Sequence, residues 1–100
     1  MKKILSVGQC GYDDSRLSRL AQQAGAGFER AMGEEDAVTK IDAGEVGLVL
    51  VNRIFDADGS PGIDFVAAVK AQHPGLPVML VSDYPEAQAK AVAHGAVRGF

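Results

Sequence analysis

One hundred residues, 47% hydrophobic and 23% charged with a mean hydropathy of +0.04, suffice for one hydrophobic core and are too few for two. A net charge of −3 and a pI near 5.2 argue against the basic face that nucleic acid or an anionic membrane would need. The lone cysteine, Cys10, can close no internal disulfide or structural zinc cluster, and no apolar run nears the about 18 residues of a membrane span; a single cytoplasmic domain over residues 1–100 is expected.

Ile4-Leu5-Ser6-Val7 predicts a first strand, and its apolar run is too short to serve a signal peptide. Leu17, Leu20, Ala21 and Ala24 then recur at helical spacing, forming one apolar face of a helix. Asp13, Asp14 and Ser15 would cap that helix and Gly25 would stop it. Residues 27–31 form the weakest of the predicted strands. Glu34, Glu35 and Asp36 place negative charge in the first turn of a second helix, where it complements the helix dipole. Ala37, Val38 and Ile41 face inward there, and Gly44 ends it.

The run 46–51 is continuously apolar and rich in β-branched residues, the pattern of a strand covered on both faces. A polar loop over 52–62 leads to a helix carrying Ile63, Val66, Ala67 and Lys70, which Pro74-Gly75 terminates. Residues 77–82 predict a further buried strand. Pro85 suits the first turn of a last helix, with Ala87, Ala91 and Val92 inward and Gly95 as its stop. Val97 to Phe100 opens a fifth strand.

Strands alternating with helices imply a doubly wound α/β parallel sheet with right-handed crossovers. Such sheets work in the crevice beyond the carboxyl ends of their strands. That rule nominates Gly8, Gln9 and Cys10 after the first strand, Asn52 and Arg53 after the third, and Ser82, Asp83 and Tyr84 after the fourth.

Other chemistry is poorly supported. Asp13 and Asp14 look like a relocated acidic pair but read better as helix caps; a displaced metal site drawing on Asp13 or Asp56 is the weaker alternative. Gly59 arrives too early after Asp56 and Asp58 for a calcium loop, so a solvated turn is expected. Cys10 has no histidine close in sequence; His73 and His94 both sit at helix ends, where imidazole suits the dipole. The glycines after the first strand lack the dinucleotide-binding spacing. No enzyme is expected.

The chain resembles the receiver domains of bacterial response regulators, the CheY-like branch of the flavodoxin-like folds. The resemblance covers nearly the whole chain and rests on Leu48-Val49-Leu50-Val51-Asn52, the Asp/Gly loop, Leu76-Pro77-Val78-Met79-Leu80-Val81-Ser82, His94-Gly95-Ala96 and Gly99-Phe100. It implies strand order 2-1-3-4-5, with this chain ending at the start of the fifth strand. It also implies phosphorylation of an aspartate, helped by Mg²⁺ held between that aspartate and an acidic pair after the first strand.

In this chain the position matching the phosphoacceptor is Asn52, and those matching the acidic pair are Gly8 and Gln9. None carries a carboxylate, so Mg²⁺ binding is expected to be lost and no cofactor is expected. Ser82 matches the family's hydroxyl residue; Asp83 stands where the family favours a small residue, and the family's conserved lysine would fall beyond Phe100. The vestigial pocket is therefore Gly8, Gln9, Ser82, Asp83 and Tyr84 around Asn52, with Tyr84 expected to pack over Ser82. An atypical receiver results: a phosphorylation-independent protein-interaction module of two-component signalling. The alternatives are a phosphorylatable receiver using Asp13, Asp56 or Asp83, and the regulatory half of a longer transcription factor or enzyme. With the fifth helix missing, either further sequence lies downstream or a partner or second copy covers the fourth-helix and fifth-strand face. No nucleic acid and no membrane is expected as a partner of these residues.

Overall fold

The computed structural model describes residues 3–9, 11–31, 33–53, 59, 61–81 and 84–97, with the side chains of 11–14 left aside. Strands and helices alternate along them: β1 (Lys3–Val7), α1 (Gly11–Gln23), β2 (Gly27–Ala31), α2 (Glu34–Asp42), β3 (Val46–Asn52), α3 (Gly62–Gln72), β4 (Val78–Val81) and α4 (Pro85–Ala93). All pairings are parallel, in the order β2-β1-β3-β4.

The chain steps outward from β1 to β2, then returns past β1 to β3 and β4. Right-handed crossovers therefore put α1 on one face of the sheet and α2, α3 and α4 on the other. Burial matches this division. Leu5, Val7, Val49, Val51, Val78 and Leu80 meet Ala37, Ile41, Phe65, Val66, Val69, Ala87 and Ala91 in one core cluster. Leu17 and Ala21 of α1 are buried outside that cluster. Alternation along β1 turns Ser6, fully buried, to this second face. β3 is apolar up to Val51 because it is central and covered on both sides: Val49, Leu50 and Val51 are all buried. No helix among the described residues is long and apolar enough to cross a membrane.

The structure corrects several expectations. α1 begins at Gly11, so Asp13 and Asp14 stand within its first turn rather than before it; the preceding residue, Cys10, lies outside the described residues. Leu20, Val38 and Val92, expected inward, are 51%, 42% and 45% exposed. Each sits beside a residue that takes the sheet-facing position instead: Ala21, Ala37 and Ala91. Periodicity identifies a helix's apolar side, but the width of the buried stripe depends on how many elements pack against it. α1 packs on β1 and β2, where Leu17 and Ala21 are the buried residues among its described side chains. Ala24 is exposed and Ala67 half-buried, while Phe65, not assigned to the core from sequence, is among its most buried side chains.

The fifth strand is present only as an isolated parallel bridge among the described residues. Val97 pairs with Met79, its N–H donating to the Val78 carbonyl at 2.8 Å. Residues 98–100, the rest of the expected strand, lie outside the described residues.

Candidate functional site

β1 and β3 lie side by side at the centre of the sheet, so the segments that leave them meet at its carboxyl end. Gly8 turns the chain out of β1 with φ +75°, a conformation that costs a side-chain-bearing residue about 1–2 kcal/mol. Its N–H donates to the Ala31 carbonyl at 2.9 Å, which ties the turn to the end of β2. Its own carbonyl accepts from Asn52 Nδ2 at 3.1 Å, which ties it to the end of β3. The acceptor is a carbonyl, so the amide must present its NH₂ here; the flipped arrangement would set two oxygens against each other.

Gln9 comes next and is 1% exposed, with neither Nε2 nor Oε1 hydrogen-bonded among the described residues. Leaving a buried amide unpartnered costs about 1–3 kcal/mol, which makes this side chain the anomaly of the region. Nothing in the pattern around Gln9 signalled its burial.

The end of β3 and the start of α3 lie close together. The Gly62 N–H donates to the Arg53 carbonyl at 2.7 Å, and a Cβ at Gly62 would collide with the Asn52 carbonyl oxygen. Only glycine allows α3 to start so close to the end of β3. The Arg53 guanidinium lies over the Tyr84 ring, 4.7 Å from its centroid, linking the segments beyond β3 and β4. The expected packing of Tyr84 over Ser82 involves a residue outside the described ones. Pro61, Ile63, Glu86 and Lys90 complete a groove of about 490 Å³ around the pair. Ser82 and Asp83 lie outside the described residues, as do Cys10, Asp56 and Asp58.

Sequence reasoning missed Gln88. It is buried in α4 and donates Nε2 to the Leu80 carbonyl at 2.9 Å, fastening the helix to the end of β4. A glutamine beside the alanines of an amphipathic face was the available signal. The histidines lie elsewhere. In a parallel α/β sheet the helices run against the strands, so the C-caps His73 of α3 and His94 of α4 stand at the opposite end from Gln9 and Asn52. His73 Nε2 is 3.1 Å from Asp42 Oδ1, joining the ends of α3 and α2.

Among the described residues, those at the matching positions do not fit the Mg²⁺ that the resemblance implies. Mg²⁺ selects hard oxygen ligands, usually carboxylates. Gly8 offers no side chain, Asn52 turns its NH₂ inward to a backbone carbonyl, and Gln9 is a neutral amide sealed from solvent. An amide is also a poor nucleophile toward phosphorus, so this arrangement supports no transfer to Asn52.

The pronounced electrostatics lie at the β2 flank. Lys3 Nζ is 2.8 Å from Glu29 Oε1 and 3.4 Å from Glu45 Oε2. Lys40 Nζ approaches Glu29 Oε2 at 3.6 Å. The hydrogen bond from Lys3, then its charge, holds the Glu29 carboxyl below its ordinary range; the same pairing raises Lys3.

No family model matches the sequence, and no curated protein does. Solved structures do match in fold. NtrX from Brucella abortus superposes with a TM-score of 0.88 at 22% identity, covering all of this chain, which spans only 23% of NtrX. The chemotaxis protein CheY4 from Vibrio cholerae gives 0.82 at 23% identity, covering all of this chain and 85% of its own. A Burkholderia pseudomallei response regulator with a phosphorylated aspartic acid and a calcium ion gives 0.81 at 18% identity, covering 99% of this chain and 58% of its own.

Proposed function

We propose that this chain, which has the CheY-like fold of response-regulator receiver domains, is a signalling module that works without aspartate phosphorylation. The observation that carries this reading is the Asn52–Gly8 hydrogen bond. At the place where the resemblance puts a phosphoacceptor, a neutral amide is committed to the backbone of the neighbouring strand end. Gly8 and Gln9, in place of an acidic pair, add no charge to hold a metal. One conformation of the crevice is then favoured constitutively, with Arg53 against Tyr84 and Gln88 against β4.

Output from such a module is binding rather than catalysis, within the cytoplasm and to protein. The surface we assign to the partner, or to a second copy, is that of α4 and the segment at Val97. Tyr84, Val92 and Val97 are large apolar or aromatic side chains 54%, 45% and 46% exposed there. Because the chain spans 23% of NtrX, the reading extends to a regulatory segment of a larger protein, with any nucleic-acid contact outside these residues.

The test is phosphate incorporation from a small phosphodonor with Mg²⁺, with intact mass as the readout. The wild-type chain is expected to gain no phosphate. Asn52→Asp is expected to gain none either, since Gly8 and Gln9 still supply no metal ligand. Stable incorporation into the wild-type chain at any aspartate would contradict the proposal.

A further inference from the structure

We infer that the groove between α2 and α3 is a second docking surface, and that its occupant is a basic amphipathic helix of a partner protein. The groove exists because the two helices stand over different strands: α2 packs on β1 and β2, and α3 on β3 and β4. Its volume is about 420 Å³. Buried Ile41 and Val69 form its floor, Val38 and Ala68 its apolar walls, and Asp42 with His73 its closing end. Val38, 42% exposed, is the large apolar side chain that α2 presents to solvent.

Charge along the groove is predominantly of one sign. Glu34 and Glu35 stand one turn before Val38 and Asp42 one turn after it, so all lie along one side of α2. Asp64 stands one turn before Ala68 on α3. His73 Nε2 holds Asp42 at 3.1 Å, whereas Glu34, Glu35 and Asp64 form no ion pair among the described residues. The lysine of each helix is turned away. Lys40 reaches Glu29 at 3.6 Å and Asp36 at 3.8 Å, on the side of β2. Lys70 Nζ donates to the Pro74 and Leu76 carbonyls at 2.8 and 3.0 Å, and its stem lies beside Gly95 at the end of α4. Residues 54–60, which lead into α3, include no basic residue.

An apolar floor between carboxylate rims specifies the guest. Lysine or arginine side chains would meet the carboxylates while apolar neighbours on the same helix enter the groove. Their aliphatic stems would cover Val38 and leave the charged heads in water. Ala68 and Ala71, both exposed and small, leave room for a third helix to approach at the about 8–10 Å of helix packing. α3, the longer wall, has 11 residues and runs about 16 Å, so about three turns of guest would fill it. Two copies of this face would oppose carboxylate to carboxylate, so a second copy of the chain is disfavoured, as is an anionic membrane.

The probe is a capped peptide of about 14 residues with leucines at helical spacing and lysines on either side of them, titrated into the ¹⁵N-labelled full chain. One control carries glutamates for the lysines; another keeps the basic composition in an order that breaks the leucine face. Saturable amide shifts over residues 35–42 and 64–73 are expected for the basic amphipathic peptide alone, with affinity falling as salt rises. Ala68→Arg puts bulk and positive charge into the groove at an exposed position. It should weaken binding at least about tenfold without lowering the thermal midpoint. Glu35→Gln with Asp64→Asn should weaken binding several-fold. Absence of saturable shifts, equal binding of the scrambled peptide, or shifts centred on α4 would each overturn the inference. None of these residues belongs to the Gly8–Asn52 crevice, so that failure would leave the proposed function standing.

Discussion

The carboxyl end of the sheet and its β2 flank solve opposite electrostatic problems. At the flank, charged groups stay in water and pair with one another: Lys3 with Glu29 and Glu45, Lys40 with Glu29 and Asp36. At the carboxyl end Gln9 and Asn52 are neutral and partly sealed, and Arg53 is stacked on the Tyr84 ring. There Asn52 is spent on a backbone carbonyl, and Gln9 is buried with no hydrogen bond to a described residue. Exposed ion pairs each contribute little and tolerate change. A buried unpartnered amide is costly, and a fold keeps such a group more readily where something other than stability is at stake. The contrast directs attention to the crevice, where the proposed function is placed.

Breaking the crevice should have the largest effect. Gly62→Ala forces a methyl group into the Asn52 carbonyl, so α3 must move away from β3. A loss of about 1–3 kcal/mol is expected in chemical denaturation, the range of overpacking substitutions. Gln9→Met keeps the volume and removes the orphaned polar atoms. It should stabilise the chain by up to about 1–3 kcal/mol, the cost of an unsatisfied buried group. A lower denaturation midpoint for Gln9→Met would mean that the amide is satisfied in solution and would erase much of the contrast.

The flank should respond least, and to pH. Glu29 has its carboxyl lowered by the Lys3 hydrogen bond, so its contribution is present above the ordinary value of 4.5 and is lost as pH falls through the depressed folded value. Lys3, raised from 10.5, contributes below that value and loses its contribution as pH rises through the folded one. Glu29→Gln should therefore flatten a thermal-midpoint profile slightly on its acid limb and leave the crevice amides unshifted. An unchanged acid limb would show that the pair does not contribute.

The same contrast explains what was legible in the sequence. Runs such as 46–51 announce a central strand because both faces demand apolar residues, and the rule of strand carboxyl ends led directly to Gly8, Gln9, Asn52 and Arg53. The start of α1 was misplaced because Asp13, Asp14 and Ser15 have capping chemistry, whereas the turn at Gly8 lets the helix begin at Gly11. Leu20, Val38 and Val92 were assigned inward because helical spacing carries no information about how narrow a contact is. The Arg53–Tyr84 contact depends on β3 and β4 being neighbours, and the burial of Gln9 on packing around the turn. Neither is encoded in local spacing. Strand order was legible only through resemblance; alternation by itself establishes parallel strands and leaves their order open.

The central claim is that the carboxyl-end crevice neither holds Mg²⁺ nor accepts a phosphoryl group. An amide NMR titration of the wild-type chain with Mg²⁺, then with beryllofluoride as a mimic of the phosphorylated state, tests it most directly. The account predicts no saturable shifts at Gln9, Asn52, Arg53 or Tyr84. Saturable shifts at those amides, dependent on both additions, would contradict it and indicate a working site built from other carboxylates.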